Sequence, residues 1–559
     1  MVLTVPTNYP TIQSAINAAS AGDTVQVLAG NYTEQLFLTK SITLVGSGAA
    51  STFISQPKTI VRDSSGNYWP VNVLDGSTVS ISGFTFPAPL QADPKCVGPS
   101  PPAVPCGTIG VQGGSTLNLT SSVVEYTSMS NGLFIAGNPN SIAHAVVTNV
   151  TFELPSAVIA SPYTYDGIYV VYGTAQVSDS TIVSQPTLGG DSDGIFLDAG
   201  STVSFSHNVI SGGVPIAARY DSGPNIITAE IISNTLRPTG LSHFGGTPSA
   251  ALGTIIIAPG SDFNITGNTI MGGTNVLSGI NIAANNDPYS PTTASIVNNT
   301  ISDILCTNLD DRPAGICGPD AFSQDQLPGI LVSPPSFQTA SVHFQPGFAS
   351  SGTPEDVHNA ISITGNHISE TDSGIQLTGV QNCCEVSDNV ISNSTDYGIA
   401  AANGNFAFPN NSISGGAYGA TAIAGLANAT VTLPGSEIQG TTISSLYPQS
   451  QSPYVARIAL NETGLTSTTT TTSVAATTTT VVTTTTTSTP VTATTATLTS
   501  SSVHSMTATT SSTTSSATTP STTGGGIPEF PFQLLATSIL VVLVGVSYLA
   551  VRRCTGKTI

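Results

Sequence analysis

The sequence predicts an all-β fold: a parallel β-helix (solenoid) with an N-terminal capping helix, followed by a disordered stalk and one transmembrane helix. Three observations carry this prediction. A short Asn-x-Ile motif recurs with a period of roughly 20–30 residues and no helical segment between copies, which is the period of a solenoid rung. A second motif, Gly-Ile-x-apolar, alternates with it. After residue 465 the composition changes abruptly to Thr and Ser.

The first motif appears as Asn208-Val209-Ile210, Asn268-Thr269-Ile270, Asn299-Thr300-Ile301, Asn366-His367-Ile368, Asn389-Val390-Ile391 and Asn411-Ser412-Ile413. The second includes Gly167-Ile168, Gly194-Ile195, Gly279-Ile280, Gly329-Ile330, Gly374-Ile375 and Gly398-Ile399. In a parallel β-helix each rung pairs with the next about 4.8 Å away. Inward Ile, Val and Leu stack on like residues, while outward positions accept Ser, Thr or Asn without charge. Asn tolerates a left-handed turn conformation and can hydrogen-bond its neighbour in the next rung. A β-sandwich array is the alternative, but it needs longer alternating strands. The solenoid is expected over 24–448, with insertions near 87–113 and 303–356.

Residues 1–23 are expected to close the first rung. Thr11 to Ala19 has helical spacing, with Ile12, Ala15, Ile16 and Ala19 on one face. Then come Gly22-Asp23-Thr24-Val25-Gln26-Val27, Gly30-Asn31-Tyr32-Thr33-Glu34 and Lys40-Ser41-Ile42-Thr43-Leu44-Val45-Gly46. This run resembles the start of pectin-lyase-like right-handed parallel β-helix proteins, and Gly30-x-Tyr32-x-Glu34 is shared with pectinesterases. The resemblance implies the fold and, through it, a polysaccharide or glycan partner. It does not imply activity. The Gln-Asp-Thr-Leu and Asp-Phe-Ile-Phe-Gly type motifs of pectinesterases are absent. Asp191-Ser192-Asp193-Gly194 resembles the Asn-Thr-Asp-Gly of galacturonan hydrolases, but the next rung reads Ser211-Gly212-Gly213-Val214-Pro215 where a paired Asp would stand.

The remainder of the chain reads differently. Residues 449–526 are expected to form a Thr/Ser-rich stalk, O-glycosylated in a surface protein or a bare flexible linker otherwise. Residues 532–551 carry no charge and are long enough to span a bilayer. Arg552-Arg553 then places 552–559 in the cytoplasm by the positive-inside rule. The expected localisation is therefore the cell surface, as a single-pass membrane protein with an extracellular N-terminal domain. Pro528-Glu529-Phe530-Pro531, the apolar span and Arg-Arg resemble the C-terminal sorting tails of archaeal surface proteins. Nine N-glycosylation sequons, from Asn31 to Asn461, fall on the proposed outer side. An exported protein needs a leader, so either the start is expected upstream of Met1 or the leader has been removed. Six of the seven cysteines precede the span. Cys96 with Cys106 and Cys306 with Cys317 each close a short loop and are expected as disulfides. For Cys383-Cys384 the sequence leaves the fate open.

Only 8% of residues are charged, and 31 acidic against 11 basic side chains give −20. No basic stripe exists to release counterions, so a nucleic-acid partner is excluded. The acidic surface should attract cations such as Ca²⁺ and repel polyuronates unless a cation bridges them.

Candidate site residues follow from rung stacking. Asp166 precedes Gly167 and Asp193 precedes Gly194, one rung apart. In matching register their carboxylates lie about 5 Å apart. Each carboxylate caps its own turn in solvent, or the pair holds Ca²⁺ with help from Asp191 or Asp198, or the pair acts as nucleophile and acid. The x residue of the Gly-Ile-x motif faces out, and in successive rungs it is Phe134, Tyr169 and Phe196, then Ala217. Three stacked aromatics in a chain with 6% aromatics suggest a surface for sugar rings. The alternative is that a loop covers them. The functions weighed are a non-catalytic binder of carbohydrate or cell-surface polymer, a polysaccharide-modifying lyase, hydrolase or esterase relative with a divergent site, and a structural envelope or adhesion protein.

Overall fold

The fold is seen in a computed structural model. It describes residues 1–446 and 456–460 apart from 62–68, 89–106, 128–130, 155–165, 185–192, 219–225, 239–252, 274–275, 277, 285–290, 306–326, 334–354, 357–359, 379, 382, 403, 417, 425–428 and 439–440. Among the described residues three long sheets run through the molecule, one of 13 strands and two of 14. Each coil contributes one strand to each. One coil runs Thr202–Ser206 in sheet one, Val209–Gly212 in sheet two and Ile216–Ala218 in sheet three. Every pairing between successive coils is parallel, as in Ile182 with Ile210 and Tyr169 with Phe196. This is a parallel β-helix. Sheet one stops at Cys384–Ser387, and in the coils beyond it Asn405–Ala407, Ala429–Leu433 and Ala456–Leu460 form a separate three-stranded sheet.

The core is the stack of inward residues. Ile210, Leu236, Ile270 and Ile301 follow one another in sheet two, fully buried. Each such side chain contributes about 1.5–3 kcal/mol of apolar burial. The asparagines of the first motif form a continuous buried ladder. The Nδ2 of Asn208, Asn234, Asn268, Asn299, Asn366 and Asn389 each donates to the Oδ1 of the next asparagine at 2.9–3.1 Å. The same Oδ1 accepts the preceding residue's backbone N–H. The ladder begins at Ser180, whose N–H donates to Asn208, and ends on the Ser436 hydroxyl. The left-handed residue of each turn is not the ladder asparagine but the one before it: His207, Ser233, Gly267, Asn298, Gly365, Asp388 and Asn410. The asparagine is free to serve the ladder because its neighbour takes the strained position.

The glycines of the second motif have a different cause. A Cβ on Gly374 would lie 2.4 Å from the carbonyl oxygen of Gly398, and one on Gly279 would lie 2.5 Å from that of Gly329. The corner into sheet three brings successive coils too close for any side chain.

The helix Ile12–Ala18 buries Ile12, Ala15 and Ile16 in the same core. It is gripped by the following coil. The Glu34 carboxylate accepts the backbone N–H of Ile12 and Gln13, both at 2.9 Å, and Lys40 Nζ donates to the carbonyls of Asn17 and Ala19. Negative charge at the helix start and positive charge at its end match the helix dipole. The phenol of Tyr32 donates to the Leu28 carbonyl. The Gly-x-Tyr-x-Glu element is thus a structural device here.

Three expectations change. The strand Ala456–Leu460 pairs with Ala429–Leu433, so folded chain reaches into the segment 449–526 expected as stalk. Its alternating apolar residues precede the Thr-rich tract. The expected single-pass membrane protein is not borne out. Among the described residues there is one helix, and none is long and apolar enough to cross a membrane. The segment 532–551, on which that expectation rested, lies outside the described residues, as do the Cys96–Cys106 and Cys306–Cys317 pairs. Finally, Cys383 and Cys384, left open above, form a disulfide with their Cα atoms 3.7 Å apart.

Replacing a mid-ladder amide strands several buried groups at once. Asn268→Ala is expected to lower unfolding free energy by about 3 kcal/mol. The exposed Asn31→Ala should stay within about 0.5 kcal/mol of the parent. Denaturant unfolding of both variants checks this.

Candidate functional site

The outward column of sheet three carries the aromatic residues, in the register the motif implies: Phe134 pairs with Tyr169, Tyr169 with Phe196, and Phe196 with Ala217. Phe134 and Tyr169 stack with centroids 4.7 Å apart and planes at 9°, and Tyr169 and Phe196 stack at 5.2 Å and 24°. A fourth ring, Trp69, meets Phe134 at 5.8 Å. Trp69 lies over Gly110, one rung before Phe134, where a Cβ would fall 1.8 Å from the indole. The far side of Phe196 packs against Val214, Ala217 and Ile256.

This arrangement bears on how a sugar could meet the row. The faces of Phe134 and Tyr169 are taken by their neighbours, and Phe134 is buried. Tyr169 and Phe196 are half-buried, so part of each ring reaches the surface. The phenol donates a short hydrogen bond to Asp198 Oδ2, while Asp198 Oδ1 accepts the Ala199 N–H at 2.8 Å. Asp198 is held as an acceptor beside the aromatic row.

Asp166 and Asp193 lie on adjoining rungs: the Gly132 N–H donates to the Asp166 carbonyl and the Gly167 N–H to the Asp193 carbonyl. Asn131 occupies the preceding rung, its Oδ1 accepting the Asp166 N–H at 2.8 Å. The two aspartates are 2% and 4% exposed, so neither caps its turn in solvent. The fully buried Tyr126 donates to the Val183 carbonyl at 2.9 Å. Burial pushes its phenol well above the ordinary range; a hydrogen bond with Ser184 opposes the shift and the Asp166 charge adds to it. Tyr126 therefore stays protonated and acts as a donor.

The expected Ca²⁺ set falls partly outside the described residues. Asp191 lies outside the described residues. Asp198 is five residues from Asp193 across an extended strand, on the order of 15 Å, and is engaged by Tyr169. Among the described residues no group of three or more His, Cys, Asp or Glu stands ready to hold a metal. Two further buried acids, Asp372 and Asp396, escaped the sequence reading. They stand just before the same Gly-Ile motif, which was the available signal. Trp69 was missed because it comes from a stretch with no rung motif; Gly110 interrupting the aromatic column was its only trace.

No family model and no curated protein matches the chain. Among solved structures it is similar to a mannuronan C-5 epimerase A-module from Azotobacter vinelandii, at 15% identity and TM-score 0.37, covering 72% of this chain and 90% of that one. It is also similar to the catalytic domain of an α-1,3-glucanase in complex with tetrasaccharides, at 15% identity and TM-score 0.27, covering 83% and 68%. A third is a pectin methylesterase from Erwinia chrysanthemi, at 13% and TM-score 0.20, covering 54% and 78%.

Trp69 is the single tryptophan of the chain, so intrinsic fluorescence reports this site alone. Gly110→Ala is expected to expel the indole from its buried seat and shift its emission to the red. Unchanged emission would show that Trp69 does not lie over Gly110.

Proposed function

We propose that this chain is a carbohydrate-binding protein of the pectin-lyase-like, right-handed β-helix type, taking a polysaccharide along the outer face of sheet three without turning it over. The supporting observation is the half-buried Tyr169–Phe196 pair with Asp198 fixed on the Tyr169 phenol. Sugars present apolar C–H edges beside hydroxyl groups. An aromatic row next to an oriented carboxylate matches both. The low, mainly acidic charge favours a neutral polymer. In the same reading residues 1–23 close the first coil.

A second reading, a polysaccharide-modifying enzyme, is favoured by one observation: Asp166 and Asp193 sit on adjoining rungs, a spacing of about 4.8 Å, near that of a retaining carboxylate pair.

The two readings separate by experiment. On a glycan array Tyr169→Ala is expected to weaken retention at least about tenfold, the equivalent of 1.4 kcal/mol; unchanged retention removes the aromatic row from the account. Incubation with the retained polysaccharide should yield no new reducing ends or unsaturated products. Product formation that disappears in Asp193→Asn would replace binding with catalysis.

A further inference from the structure

The ladder shows how this fold satisfies a buried carboxamide. Asn366 is fully buried, and its Nδ2 donates to the Ile296 carbonyl at 2.9 Å and to Asn389 Oδ1 at 3.0 Å. Ten residues on, in the same coil, Gln376 is treated in the opposite way. It is 1% exposed, and neither its Nε2 nor its Oε1 has a hydrogen-bond partner. The reason lies in the register. Gln376 alternates with the inward Ile375 and Leu377, so it occupies the outward column of sheet three, where its neighbours are Leu331 and Ala400. Neither has a polar side-chain atom to offer.

Two more groups on the same face share this condition. Thr421, beyond Ala400 in the same column, and Ser333, two residues along from Leu331, are fully buried with unpartnered hydroxyls. A buried polar atom without a partner costs more than the same atom gains when paired. Such a concentration on one face therefore calls for an external partner.

We infer that Gln376, Thr421 and Ser333 form a second binding site on sheet three, several rungs from the aromatic row, for a neutral polyhydroxylated ligand. A carboxamide needs a partner that both donates and accepts, as do the two hydroxyls. Sugar hydroxyls meet that need. An anion does not: it offers no donor and leaves the Oε1 acceptor unmet. The inference rests on the carbohydrate reading of this sheet and extends it to a neutral saccharide.

The test is thermal unfolding of the full chain, free and with a neutral glucan hexasaccharide or an oligouronate of equal length. For the free protein, Gln376→Leu is expected to raise Tm by about 1–3 °C, because an unmet amide is removed. The parent should gain Tm with the glucan and not with the oligouronate, and Gln376→Leu should lose that gain. A lower Tm for free Gln376→Leu would mean that the amide is already paired, by ordered water or protein, and overturns the site. A gain kept in Gln376→Leu but lost in Tyr169→Ala overturns this site and leaves the aromatic one standing. A gain lost in Gln376→Leu but kept in Tyr169→Ala supports it and removes the aromatic row. No gain in the parent with either sugar sinks both.

Discussion

The coils from Asn208 to Asn411 depend on one interaction: each coil's buried asparagine is satisfied by the asparagine of the next. Nδ2 donates forward, Oδ1 accepts both that bond and a backbone N–H, and the row from Asn208 to Asn411 ends on the Ser180 backbone N–H at one side and on the Ser436 hydroxyl at the other. No rung can shift register or twist out of line without orphaning an amide in the core. The requirement is strict because a buried unpaired amide is penalised far more than a paired one is rewarded. The left-handed residue before each asparagine makes the turn that points the amide inward.

The glycine corner into sheet three is the complement of that ladder. Where Gly279, Gly329 and Gly374 approach the carbonyls of the next coil, no Cβ fits. Where both occur, the two constraints fix both ends of a sheet-two strand, and so fix which residues leave sheet three outward. That is how Gln376, Ala400 and Thr421, far apart in sequence, come to form one row; the earlier row of Phe134, Tyr169 and Phe196 follows the parallel register and the same close approach at Gly132, Gly167 and Gly194. The ladder asparagines are satisfied from coil to coil and the outward Gln376 is not, and the contrast between Asn366 and Gln376 within one coil marks the difference.

Much of this was legible in the sequence, for a physical reason. A stacking period aligns like residues, so Asn-x-Ile and Gly-Ile-x announce the ladder, the apolar core and the outward aromatic column. The helix at Ile12–Ala18 was equally plain from its spacing. What the period does not encode is how side chains turn once aligned. Phe134 and Tyr169 spend their faces on one another, and Trp69 arrives from an irregular stretch to finish the row. Asp166 and Asp193 look like turn residues in sequence, yet packing buries them. The disulfide between Cys383 and Cys384 depends on local backbone geometry that residue spacing does not report.

Native-state hydrogen exchange at the backbone and side-chain amides of the seven ladder asparagines tests the central claim most directly. The account predicts that Asn208, Asn234, Asn268, Asn299, Asn366, Asn389 and Asn411 exchange among the slowest groups and at similar rates, opening as one cooperative unit. Side-chain amides that exchange as fast as those of exposed asparagines such as Asn31, or rates that scatter independently from rung to rung, would contradict it.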